Sequence, residues 1–298
     1  LLLCSGVLSA QIAVVTKNVP VFSDPEKAGA YYPVLSEDGS RLLYTGEDYR
    51  GLNLYDLTTG EDLRVTDVAG AGYEPVFGQE SGEIYYRRID YRQGRRYSSL
   101  YRYEGAQNRV ETVIGNVRSL KKPVVSPQGI TVMGEGGLRK SSLRREPVKT
   151  PSVYVCVEEN RVALYRNGAR ELLAPVGEEV AGYVWPSISP DGKKLLFHAA
   201  GKGTYICDIE GNLLSELGNL TAPVWYGNEY VVGMECKDDG ERFTWGRLVL
   251  VSGDGQARQE LTDGKEIAMY PTVSREKGRI AYNTADGRLY LMEISLIR

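Results

Sequence analysis

Histidine is almost missing from this chain: His198 is the single example in 298 residues. A lone histidine excludes sites that gather several imidazoles around a metal. Any Ser–His–Asp device would have to use it, and no Gly-x-Ser-x-Gly turn is present to carry the serine. A hydrogen-bonded or solvated loop histidine is the simpler reading. Basic excess is missing too. Lys and Arg number 36 against 39 Asp and Glu, for a net charge of −3, which argues against a general nucleic-acid binder. Past the first residues, no apolar run approaches the roughly 18 residues of a membrane span. Calcium-type loops are also lacking. Asp238, Asp239 and Glu241 in KDDGERF, and Glu47 and Asp48 in GEDYRG, lack the spacing that surrounds a hard cation with oxygens. No catalytic, metal-binding or cofactor-binding residue is therefore assigned.

What the chain has in quantity is glycine (34), tyrosine (21) and an ordinary 42% of hydrophobic residues. These point to many turns and many strands. The length exceeds that of a usual single-core domain, so internal repeats come first. Six prolines lead one local pattern: Pro33, Pro75, Pro123, Pro186, Pro223 and Pro271. Two residues after each stands a large apolar residue: Leu35, Phe77, Val125, Ile188, Trp225 and Val273. A turn follows, then an alternating strand: LLY from Leu42, IYY from Ile84, ITV from Ile130, LLF from Leu195, YVV from Tyr230 and IAY from Ile280. A third strand recurs as LNLYDL, SLYRY, VALYR, TYICDI, RLVLV and RLYLMEI, and in five units a fourth follows a turn. Short strands at this period predict an all-β, six-bladed propeller of four-stranded antiparallel blades. A proline, lacking an N–H, suits the start of an innermost strand that is paired on one side only.

The sixth unit has no fourth strand, and QIAVVTKNVPVF (11–22) precedes the first proline as an orphan strand. It is expected to pair with the strand at 288–294, close the ring, and bury Ile12, Val14 and Val15. The third unit is irregular. Its proline lies 63 residues before the next, against 37 to 48 elsewhere, and the interval holds the polar stretch 136–151 and then SVYVCVEENRVALYR. That stretch reads as a long loop or an extra strand pair, and a seventh blade would have to come from 136–180.

PSISPDGKKLLF (186–197) and PVLSEDGSRLLY (33–44) resemble the repeats of the TolB C-terminal propeller, a WD-repeat-like family with a Pro-x-Trp-Ser-Pro-Asp-Gly hallmark. The resemblance spans residues 11–298. It implies a single propeller domain in the bacterial envelope, and a role in binding rather than turnover. Similar repeats occur in propellers of serine peptidases and of pectic-oligosaccharide lyases, so a carbohydrate-binding or carbohydrate-cleaving propeller and a structural subunit of an envelope complex stay open.

LLLCSGVLSA (1–10) reads as the remnant of a secretory signal, which points to a periplasmic or secreted protein. Leu3 before Cys4 does not suit a lipoprotein signal. Cys156, Cys207 and Cys236 then remain, an odd number best read as small buried hydrophobes. One feature points to a partner. Loops joining the second and third strands share a face of the ring with the connections between blades. Three consecutive segments of this kind are basic: Arg92, Arg95 and Arg96; then Arg118, Lys121 and Lys122; then Arg139, Lys140, Arg144, Arg145 and Lys149. Against the net charge of −3 they form a candidate docking sector for an acidic protein segment or an anionic envelope glycan.

Overall fold

The computed structural model describes residues 11–24, 27–79, 82–126, 129–135, 137–141 and 153–297. The 1–10 segment read as a leader lies outside these residues. All regular structure among them is β, apart from two single 3-10 turns.

Strand β1 (Ala13–Pro20) comes first, and the blades follow in order. Blade 1 is β2 (Tyr31–Leu35), β3 (Arg41–Thr45), β4 (Arg50–Asp56) and β5 (Asp62–Ala69). Blade 2 is β6 (Val76–Phe77), β7 (Glu83–Arg92), β8 (Arg95–Glu104) and β9 (Arg109–Val117). Blade 3 is β10 (Val124–Ser126), β11 (Gly129–Gly134) and β12 (Gly137–Ser141). Blade 4 is β13 (Val153–Glu158), β14 (Arg161–Arg166) and β15 (Ala169–Leu173). Blade 5 is β16 (Tyr183–Ile188), β17 (Lys194–Ala199), β18 (Gly203–Asp208) and β19 (Leu213–Glu216). Blade 6 is β20 (Thr221–Tyr226), β21 (Tyr230–Asp238), β22 (Phe243–Ser252) and β23 (Arg258–Glu260). Blade 7 is β24 (Ala268–Ser274), β25 (Arg279–Thr284) and β26 (Leu289–Leu296), with β1 as its fourth strand.

The propeller thus has seven blades, not six. The irregular third unit is the place where the count changes. It combined the first two strands of blade 3, PVV and ITV, with the last two of blade 4, VALYR and ARELLA. VYVCVE is not an insertion. As β13 it pairs with β14 and packs on the first strand of the next blade, β16, as β21 packs on β24 and β25 on β2. It is therefore the second strand of its own blade. No described residue supplies blade 4 with a first strand.

The second strands explain how the ring holds together. Adjacent side chains on a strand point to opposite sides, so each second strand feeds two interfaces. Leu42 packs into the cluster with Ala281 and Leu289 of blade 7, while Leu43 packs with Ile84 and Tyr86 of blade 2. Ile84 and Tyr85, Leu195 and Leu196, and Val231 and Val232 divide in the same way. Seven clusters lie between seven successive pairs of blades, the pair of blade 7 and blade 1 included. This is why the strands read as apolar runs such as LLY and LLF: both faces are buried.

Strand β1 pairs antiparallel with β26, with Val15 opposite Ile294 and Val19 opposite Leu291. Ile12 and Ala13 are buried, but Val14 and Val15 are exposed. An outermost strand has a neighbouring blade to pack on only near its ends, so the expected burial of the two valines does not occur. Cys156 and Cys207 are buried and Cys236 partly so, all as free thiols.

The Ser-x-Asp-Gly turns of the repeat are structural. Ser36 Oγ donates to Asp38 Oδ1 at 2.6 Å, and Ser189 Oγ donates to Asp191 Oδ1 at 2.6 Å. Hydrogen bonds from Ser36 and Ser40 hold the Asp38 carboxyl down at about 2.

Candidate functional site

Turns between second and third strands bond to the connections between blades and so build one face, here the upper face. Tyr49 O accepts the N–H groups of Gly70 and Gly72, Met133 O accepts that of Lys121, and Asn160 O accepts that of Tyr183. In four blades the residue after the apolar trio hydrogen-bonds within this face. Thr45 Oγ1 donates to Gly51 O at 2.8 Å. Arg87, buried, donates to Leu120 O and Tyr73 O, both at 2.8 Å, and pairs with Glu74 at 2.7 Å. Asn283 Oδ1 accepts the Tyr32 N–H at 3.1 Å. His198 stands at the same place in blade 5, with Nδ1 3.0 Å from Thr204 Oγ1. It lies in β17 rather than a loop, and burial lowers its pKa.

The described basic residues of the candidate docking sector lie on the turns and connections of this face, or in β12 beside them. Arg92 and Arg95 face each other at the tip of the β7–β8 hairpin. Its turn, Gln93–Gly94, has φ of 49° and 70°, the left-handed pair that suits a two-residue hairpin. Arg118 Nη1 donates to Arg96 O at 2.7 Å, and its guanidinium lies 5.2 Å from the Tyr97 ring centre. Lys121 and Lys122 are exposed, and Lys122 O accepts the Tyr154 hydroxyl at 2.9 Å. Arg139 is exposed on β12, with Lys140 after it. Arg144, Arg145 and Lys149 lie outside the described residues.

Two of these, Arg118 and Lys121, line one cavity of about 410 Å³ between blades 3 and 4, with Met133, Glu135, Glu158 and Tyr165. Glu158 accepts Tyr165 Oη at 2.7 Å and Arg170 Nε at 2.8 Å. Burial pushes its carboxyl up, but these bonds outweigh burial and hold it below the usual range. Burial and Glu158 push the Cys156 thiol up to about 12, so it stays an unreactive thiol. The sector is therefore mixed in charge at its inner end and basic at the hairpin tip. Among the described residues, no three His, Cys, Asp or Glu side chains converge as metal ligands.

Sequence pattern alone passed over a second set of residues, those directly before the leading prolines. Tyr32, Glu74, Trp185, Ala222 and Tyr270 all have left-handed backbone, with φ between 47° and 52°; Lys122 does not. In blades 1, 5, 6 and 7 the pairing of first and second strands shifts register at this point. The bulge aligns three tyrosines from two blades. The Tyr32 ring stacks on Tyr49 at 4.2 Å and lies 4.6 Å from Tyr270. Tyr49 meets Tyr73 edge-on at 5.0 Å, and Arg87 lies 4.8 Å from the Tyr73 ring centre. The signal was present as Tyr-Pro, Trp-Pro and Tyr-Pro at three of the six leading prolines.

The fold defines a seven-bladed β-propeller with one face built from second-to-third-strand turns and inter-blade connections. No family model matches the sequence, and no curated protein resembles it in sequence. Solved structures do resemble it in fold. TolB from Acinetobacter baumannii is 18% identical with a TM-score of 0.52, over 88% of this chain and 65% of that one; the chain thus spans just under two thirds of that TolB. The β-propeller domain of Cps50 (Swd1) from Myceliophteria thermophila is 9% identical with a TM-score of 0.60, over 95% of this chain and 100% of that domain. An oligogalacturonate lyase from Vibrio parahaemolyticus is 13% identical with a TM-score of 0.49, over 90% of this chain and 78% of that one. The fold is TolB-like and WD40-like. No helix among the described residues is long and apolar enough to cross a membrane.

Proposed function

We propose that the chain is an exported, periplasmic propeller that binds an acidic protein segment or envelope component on its upper face, without turnover. The observation that carries this reading is Arg118. It links the hairpin to the cavity, donating to Arg96 O and lining the same cavity as Lys121. A basic rim on a chain of net charge −3 steers an acidic partner toward the face, and salt screens the attraction over ~10 Å at 0.1 M. The test is a photo-crosslinker at position 92 in cells, followed by capture and kinetics. Charge reversal at Arg95, Arg96 and Lys121 should slow association with the captured partner several-fold at low salt; an unchanged rate refutes the reading.

The N-terminal strand acts as the clasp of the ring in this proposal, and residues 1–10 as a leader removed on export. Removing residues 11–22 strips Ile12, Ala13 and Phe22 from buried positions. At ~1.5–3 kcal/mol for each large side chain, it should cost much of a stability of ~5–15 kcal/mol. An unaltered melting curve would reject the clasp.

A further inference from the structure

We propose that the hairpin tip of blade 2 docks on a bilayer surface rich in anionic phospholipid, its arginines taking headgroup phosphates. This rests on the envelope-binding reading above and names the component. Strands β7 and β8 pair without a break from Glu83–Glu104 to Arg92–Arg95. Their neighbours stop short: β6 meets β7 only at Ile84 and Tyr85, and β9 follows β8 only as far as Ser98, opposite Val117. The last three pairs, Asp90–Tyr97, Tyr91–Arg96 and Arg92–Arg95, therefore form a two-stranded ribbon beyond the blade. Every residue from 91 to 96 is exposed.

Folding does not ask for the charge on this ribbon. Arg92 and Arg95 stand directly opposite each other, and like charges so placed weaken a strand pair. Elsewhere arginines are answered by carboxylates: Arg102 pairs with Glu83 and Glu104, and Arg247 with Glu235 and Glu260. The one carboxylate of the ribbon, Asp90, is held by Arg88 at 2.9 Å. Among the described residues no carboxylate pairs with Arg92, Arg95, Arg96 or Arg118. The arrangement selects the partner. Opposed side chains of a hairpin share a side. Arg92 and Arg95 are on one side, where Arg118 joins them over the Tyr97 ring, and Arg96 is on the other with Tyr91. Cations on both sides of a projecting tip suit a layer of anions that surrounds it, whereas a single acidic strand meets one side only. Arg92, Arg95 and Arg96 do not line the cavity beside Arg118, so they act as a projection and not as a wall. All four are arginines, whose planar forks match phosphate oxygens two at a time. Tyr91 completes the match. It is 73% exposed, whereas the rings of the arc Tyr270–Tyr32–Tyr49–Tyr73 lie against one another at 4.2–5.0 Å. A ring with an apolar body and a hydroxyl tip fits the headgroup level of a bilayer.

The test uses the full chain and sedimentation with vesicles of phosphatidylglycerol and phosphatidylcholine in equal parts. Binding is expected that falls as salt rises, and pure phosphatidylcholine vesicles should leave the chain in solution. A basic residue near an anionic surface contributes about five-fold, so Arg92→Gln/Arg95→Gln/Arg96→Gln should lower partitioning on the order of 100-fold, with the native melting curve intact. Tyr91→Ser should lower it several-fold at low and high salt alike, because the ring acts by burial. A labelled polyglutamate peptide, read by fluorescence anisotropy, separates this proposal from the reading beneath it. Polyglutamate binding without vesicle binding would overturn the membrane and leave the acidic-segment reading standing; loss of both would remove both. Equal binding to the two kinds of vesicle, or unchanged binding by the triple variant, would also overturn the proposal.

Discussion

The upper face has two sectors built on opposite principles. The tyrosine arc of blades 7, 1 and 2 is made by packing, with rings in contact at 4.2–5.0 Å on a strained backbone. The basic sector of blades 2 and 3 is made by exposed charge on a hairpin and a connection. The first depends on the blade interfaces beneath it; the second rests on local bonds of the hairpin and the connection, such as Arg118 to Arg96 O and Lys121 N–H to Met133 O. Short-range contact and long-range field thus sit side by side on one surface, and each can be removed without the other.

The strongest way to break the contrast is Leu43→Ala, at the interface over which Tyr49 meets Tyr73. Leu43 is fully buried, and such truncations cost ~2–5 kcal/mol. Urea unfolding should show this loss, whereas Arg95→Glu should stay within about 0.5 kcal/mol. Similar losses in both would erase the distinction. Next comes Asn283→Ala, which leaves the Tyr32 N–H without its acceptor. Stability should fall by ~1–3 kcal/mol, with a change in tyrosine near-UV dichroism; an unchanged spectrum would mean that the arc does not hang on this bond.

A smaller effect, outside both sectors, is expected with pH. Burial lowers the folded-state pKa of His198, so the unfolded chain binds the proton more readily. Its contribution to stability is complete above the unfolded value, ~6.5, and declines as pH falls below that toward the folded value. A modest drop in melting temperature from pH 7.5 to 5 is expected, and His198→Asn should flatten it. The smallest effect belongs to Asp38. Its carboxyl is held at about 2, so its contribution is present above the ordinary carboxylate range and lost as pH falls toward 2. Asp38→Asn should be nearly silent once pH is that low, and measurable at pH 6.

Much of the fold was legible because its second strands are buried on both faces. LLY, IYY, LLF and IAY carry that burial in every residue, and the leading prolines mark where blades begin. Blade 4 escaped because its described strands include no such proline, so the sequence left VYVCVE open between a long loop, an extra strand pair and a seventh blade from 136–180. That open choice also hid the cavity: Glu135 and Glu158 line it with Arg118 and Lys121 only once blades 3 and 4 are separate. The arc was less legible still. A left-handed φ leaves no mark in composition or period, and only the repetition of an aromatic before proline hints at it. The basic residues were visible as charge, since charge needs no partner to be counted.

One bond at the rim of blade 7 has a topological consequence. The Ile297 N–H donates to Ile12 O at 2.8 Å, so the described ends of the chain meet. The order of the blades is then a cycle with no privileged origin. A chain rearranged to begin at Gly94 and end at Gln93, with a short linker from Ile297 to Gln11, should hold the same seven blades, opened at a hairpin tip.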